Sequence, residues 1–187
     1  MKRKMYFLAV AFILTLPASA QDAEVTTYFG EKNGFQIDFP NDWTASLVEK
    51  KVMFTYNTSV AGLRSDLPGA LVFLNVTMPC KNAKSEMKTW VNIFEKGARK
   101  SKDAAYKVHE QGEGKTADGK DFSYIDYTYT LIGDDGNASI LRRKFCVQCN
   151  SFKGTRYQYA FTFQSLETDW EKVKDTYEKI FASVKYK

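Results

Sequence analysis

The sequence predicts an α+β fold: a three-layer α/β/α sandwich in which a mostly antiparallel sheet carries a helix on each face. Three observations carry this reading. Two stretches, about 85–100 and 169–184, repeat apolar residues at spacings of three and four, the stripe of a helix with one buried side. Elsewhere, apolar runs are punctuated by tight turn signals, as consecutive hairpin strands are. After Gly154, Tyr157, Tyr159, Phe161 and Phe163 alternate with Arg156, Gln158, Ala160 and Thr162, the period of a strand buried on one face. Strands grouped in this way argue against a parallel sheet with regularly interleaved helices.

At the start, Lys2, Arg3 and Lys4 precede an apolar run over Met5 to Leu16 and then Ala18-Ser19-Ala20. This order of basic, apolar and small residues is that of a cleavable export signal, with the mature chain beginning near Gln21. The run is too short to span a bilayer, and no later stretch reaches the required length. The chain thus divides into a signal peptide (1–20), a short polar leader (21–32) and a single domain (33–187).

Within the domain, Phe35, Ile37 and Phe39 alternate with Gln36 and Asp38 as a half-buried strand that ends at Pro40-Asn41-Asp42, before Trp43. Leu47–Glu49 and Val52–Tyr56 read as a hairpin around Lys50-Lys51. Residues Asn57 to Gly69 hold few apolar anchors and read as the longest loop. Leu71–Met78 is a β-branched, apolar run stopped by Pro79, a central strand. The first helix, about Ser85 to Lys100, buries Met87, Trp90, Val91, Phe94 and Ala98, with Ser85 as its N-cap. Ala105–Glu110, Phe122–Leu131 and Ile140–Cys149 are further strands, separated by the Asp118-Gly119 turn and by Gly133-Asp134-Asp135-Gly136-Asn137. The last helix, about Asp169 to Val184, buries Trp170, Val173, Tyr177, Ile180, Phe181 and Val184. Thr168 and Glu171 have the spacing of a capping box.

Composition excludes some functions. The chain carries a formal +5, but residues 1–20 hold three of its 27 Lys and Arg and none of its 22 Asp and Glu. The remainder has 24 basic against 22 acidic side chains, a net of +2, which makes no electrostatic case for nucleic acid. The local run Arg142-Arg143-Lys144 reads as a solvated strand face.

Tests for chemistry find no catalytic constellation, no cofactor motif and no metal site. His109 is the only histidine, and no local nucleophile accompanies it. Gly112-Glu113-Gly114-Lys115-Thr116 lacks the earlier glycine of a phosphate loop. Asn57, Asn75 and Asn137 head glycosylation-type triplets, relevant only in a eukaryotic host. Cys146-Val147-Gln148-Cys149 is the one motif with redox or zinc potential. On a strand its offset of three sends the two thiols to opposite faces. Cys149 then shares the apolar face, as does Cys80 if its strand runs on past Pro79. Export favours oxidation, so Cys80 is expected to pair with Cys149, with Cys146 as the alternative partner.

Gly34-Phe35-Gln36-Ile37-Asp38-Phe39-Pro40 followed by Trp43, the Gly119 turn, the Gly154–Tyr157 start of the last long strand and the ending Ile180-Phe181-Ala182-Ser183-Val184 together resemble the PsbP-like superfamily. The resemblance covers about residues 33–185. It implies an antiparallel sheet between helices and a protein that acts by binding other proteins and not by catalysis; with an export signal, the bacterial DcrB-like periplasmic proteins are the nearest analogue. The expected role is therefore an accessory protein of the bacterial periplasm with an envelope protein as partner. Trp43, Arg64 and Asp66 are the candidate interaction surface. A small ligand near Trp43 or beneath the 57–69 loop is a further expectation, and a thiol-redox or metal-binding role for Cys146 and Cys149 is the alternative.

Overall fold

The computed structural model describes residues 24–52 and 55–187. The expected signal peptide and its cleavage point lie outside the described residues, as do Met53 and Phe54. In chain order the elements are β1 (Val25–Gly30), β2 (Phe35–Pro40), β3 (Thr44–Val52), β4 (Thr55–Leu63), β5 (Leu71–Thr77), α1 (Ala83–Ser101), β6 (Lys107–Lys115), β7 (Asp121–Ile132), β8 (Ala138–Phe152), β9 (Thr155–Leu166), α2 (Trp170–Ala182) and β10 (Lys185–Tyr186). Among the described residues, a seven-stranded sheet in the order β3-β4-β5-β9-β8-β7-β6 and a small sheet in the order β1-β2-β10 hold the ten strands. Every pairing is antiparallel. The hairpin turns need residues free to take positive φ, and Gly119 and Gly154 supply it at +80° and +77°.

The two covers of the large sheet are offset from each other. On one face α1 lies across β7 and β8. There Met87, Trp90, Val91 and Phe94 pack on Ile125, Tyr127, Phe145 and Val147, and Phe94 meets the Phe145 ring edge-on at 5.3 Å. On the opposite face the small sheet and α2 lie over β4, β5 and β9. Phe35, Ile37 and Phe39 of β2, with Val173, Tyr177 and Ile180 of α2, close on Val60, Val72, Leu74, Phe161 and Phe163. Phe35, Ile37 and Phe39 are fully buried, and each such side chain contributes about 1.5–3 kcal/mol relative to exposure. The offset leaves the α2-side face of β6, β7 and β8 partly open.

Several sequence expectations need correction. The leader over 21–32 contains β1, which pairs along its whole length with β2. The hairpin does not turn at Lys50-Lys51, because those residues pair with Asn57 and Tyr56. The last pair of this ladder is Val52 with Thr55. The long loop over 57–69 shrinks to the segment after Leu63, since β4 continues through Asn57–Leu63. This strand is poor in large side chains because β2 lies on it: a Cβ at Gly62 would collide with the Phe39 ring. The N-cap of α1 is Asn82, whose side chain accepts from the Ser85 N–H at 2.8 Å. The capping box at Thr168 does not form, because Glu167–Asp169 is a short 3-10 turn and α2 starts at Trp170 without a side-chain cap.

Candidate binding cleft

The open half of the sheet beside α2 is a cleft of about 240 Å³. Alternation along β7 and β8 builds its floor. Asp126 and Tyr124 of β7 point to this side, as do Arg142, Lys144 and Cys146 of β8. Arg142 lies opposite Thr128 in the register, so it reaches Asp126 diagonally. Two bonds join them, Nε to Oδ1 at 3.0 Å and Nη2 to Oδ2 at 2.9 Å. Asp126 is buried, and a buried carboxylate requires such pairing. The bond to Asp126 raises the Arg142 pKa further, so the guanidinium stays charged. It also stands 4.8 Å from the centre of the Trp170 ring, a cation–π contact at the first residue of α2.

The next cleft side chains follow the same logic. Lys144 holds its ammonium 5.2 Å from the Tyr124 ring centre. The Tyr124 hydroxyl donates to Glu110 of β6 at 2.5 Å, and this bond, with burial, pushes its pKa up to about 12. Phe163 and Phe181 supply apolar wall. Cys146 forms part of the floor; burial pushes its thiol up to about 12, and almost no nucleophilic thiolate exists near neutral pH.

The run Arg142-Arg143-Lys144 is not a solvated basic face. Its members alternate across the sheet, and each cation stands over an aromatic ring. Arg143 points to the α1 side, 4.6 Å from the centre of the Tyr129 ring, and bonds the Gln164 side chain at 2.5 Å.

The residues singled out in the sequence fall elsewhere. Trp43 is only 6% exposed and packs on Phe39 and Tyr177, so it is core and not interaction surface. Arg64 and Asp66 do lie together on the surface, at 2.8 and 3.0 Å, and Arg64 also reaches Asp42 at 3.4 Å. Its charge is thereby committed to two neighbours. Cys80 and Cys149 form a disulfide with Cα atoms 5.7 Å apart, well within bridging range. Cys146 is the free, buried cysteine. The geometry does not support the thiol-redox alternative, because Cys146 and Cys149 leave the strand on opposite faces and Cys149 is already bonded. His109 is exposed and sits at a bulge where the β6–β7 register shifts. Among the described residues, no group of three or more His, Cys, Asp or Glu is placed to hold a metal ion, and no helix is long and apolar enough to cross a membrane.

The cleft residues carry no spacing motif. Tyr124, Asp126 and Thr128, alternating in an otherwise apolar strand, were the available signal of a polar face.

A large antiparallel sheet with α1 on one face and the small sheet and α2 side by side on the other is an α+β fold, and comparison with solved structures shows that fold to be PsbP-like. Among solved structures, the chain is similar to the solution structure of cyanobacterial PsbP (CyanoP) from Synechocystis sp. PCC 6803, with a TM-score of 0.56 and 16% identity over 93% of this chain and 99% of that one. At that identity the likeness is one of fold. No model of a known protein family matches the sequence, and no curated protein does.

Proposed function

We propose that this chain is an exported, non-catalytic accessory protein of the bacterial periplasm that works by engaging an envelope protein. The carrying observation is the state of the cleft. The reactive groups of its floor are committed: Asp126 to Arg142, Glu110 to Tyr124, and the Cys146 thiol protonated by burial. Such a surface offers charge, aromatic rings and shape for recognition rather than an activated nucleophile or base. The PsbP-like fold supports the same reading, since its relatives by resemblance bind proteins. The basic, apolar and small-residue order of residues 1–20 supports export.

Cross-linking in intact cells, followed by mass spectrometry, tests the proposal. A reproducible envelope protein, absent from a strain lacking this chain, is the expected result. Recovery of nothing above background, or exported material that retains Met1, would count against it.

A further inference from the structure

The two edges of the seven-stranded sheet differ. At β3 the small sheet leans over the edge: the Tyr28 hydroxyl donates to the Ala45 carbonyl at 2.8 Å, and the Lys32 N–H donates to the Glu49 carboxylate at 3.2 Å. At the other edge, β6 is exposed along its length, with only Gly112 and Gly114 half-buried, and it pairs on one side alone, with β7. An uncovered edge is a template for another strand. The bulge between Val108 and Glu110 confines the irregularity to one end, and Gln111–Lys115 keeps regular register against Asp121–Ile125.

Alongside this regular run lies an open groove of about 820 Å³ between β6 and α1, lined by Lys84, Met87, Lys88, Val91, Gln111 and Glu113 among others. Met87 is buried at its base and Val91 is half-buried. An edge strand with a helix-walled groove beside it suits an extended peptide. The main chain bonds the edge, while alternate side chains enter the groove.

We propose that β6 is a docking strand: an extended segment of a protein partner adds to it as a further strand, with an apolar side chain against Met87 and Val91 and an acidic one at Lys88. The proposal rests on the accessory reading above and adds the surface and the chemistry of the partner. The acidic requirement follows from the groove's charges. Lys84 is paired with Glu113 at 2.7 Å, whereas Lys88, one turn on, has no ion-pair partner among the described residues. A second copy has no uncommitted acidic side chain to offer Lys88 in the two-fold antiparallel register centred on Gln111, which sets Lys107 against Lys115 at both ends; a β6-mediated dimer is therefore kept as an opposing outcome of the test.

The test pans the exported, disulfide-intact protein against a phage-displayed library of random linear peptides, then titrates the tightest synthetic binder into isotope-labelled protein. The expected binder carries an acidic residue within an apolar run, protects the alternate, outward-facing amides of Gln111–Lys115 from exchange and shifts Met87 and Val91. Lys88→Glu should weaken it by about fivefold or more, while Lys179→Glu on α2 stays within about twofold. A library without binders, shifts confined to β3 or to the Asp126–Arg142 cleft, or a β6-mediated dimer in analytical ultracentrifugation each overturns the docking strand. A partner captured in cells through another face would then leave the accessory reading standing; no partner in either experiment removes both.

Discussion

Arg142 of β8 and Asp126 of β7 meet as a two-pronged ion pair on a sheet face, with the Asp126 side chain only 9% exposed and that of Arg142 21% exposed. Deleting one member leaves the other charge half-stranded. Arg142→Ala is expected to cost about 2–4 kcal/mol, below the upper range for a fully buried pair because water still reaches the guanidinium. Adding Asp126→Asn should cost much less than a second independent loss. Urea denaturation of both single variants and the double variant checks the coupling; simple additivity would show that the pair contributes little.

The cysteines should separate cleanly by reactivity. Non-reducing peptide mapping of the native protein is expected to recover Cys80 joined to Cys149. Iodoacetamide should leave Cys146 untouched in the native state and modify it only on unfolding, because its thiol is pushed up to about 12. Replacing Cys80 and Cys149 together by alanine should lower stability by about 4 kcal/mol, the chain-entropy value for the 69-residue separation of the linked cysteines. Rapid native alkylation of Cys146 would refute the burial argument.

Asp103, just beyond the C-terminus of α1, makes stability depend on pH. Burial alone raises its pKa, but bonds from the Thr130 N–H and hydroxyl and from the Ala105 N–H outweigh it and hold the carboxyl below its usual range. A carboxyl depressed by folding stabilises above its unfolded pKa of about 3.9. That contribution disappears as pH falls through the folded value. Asp103→Asn should therefore cost about 1–2 kcal/mol at pH 7 and progressively less in acid. An equal cost at pH 7 and at the acid end of the titration would assign the effect to packing.

The two helices should differ in local stability. Among the described residues, α1 fully buries only Ala83 and Met87, whereas α2 buries Trp170, Val173, Tyr177 and Ile180. Ile180→Ala is expected to cost about 3–4 kcal/mol and Phe94→Ala, on a half-buried ring, about 2 kcal/mol. Native-state hydrogen exchange should show α1 opening below the global free energy and α2 close to it. Equal protection of both helices would contradict the difference in burial.

Both helix stripes were legible in the sequence because each buries a regular face, and burial imposes period; the strand Tyr157–Phe163 was legible by its alternating aromatics, although as a central strand it also buries Gln158 and Ala160 on its other face. β4 was not, since Gly62 and its small neighbours are dictated by the Phe39 ring of a strand far away in sequence. β1 could have been suspected from the β-branched and aromatic run Val25-Thr26-Thr27-Tyr28-Phe29, but its outer residues remain exposed and show no apolar contrast. Trp43 misled because an aromatic beside a turn reads as surface when its burying partner, Tyr177, lies at the other end of the chain. The cleft was hidden for a similar reason: Asp126 and Arg142 become neighbours only through the β7–β8 register, which no local pattern states.

The Cys80–Cys149 bond turns the middle of the polypeptide into a covalent ring containing α1, β6, β7 and most of β8. A protease that cuts once anywhere inside that ring, at the Gly133–Asn137 hairpin for instance, produces a nicked molecule whose halves stay linked. Such a chain can lose a peptide bond without releasing either half, so damage of this kind would be visible only after reduction.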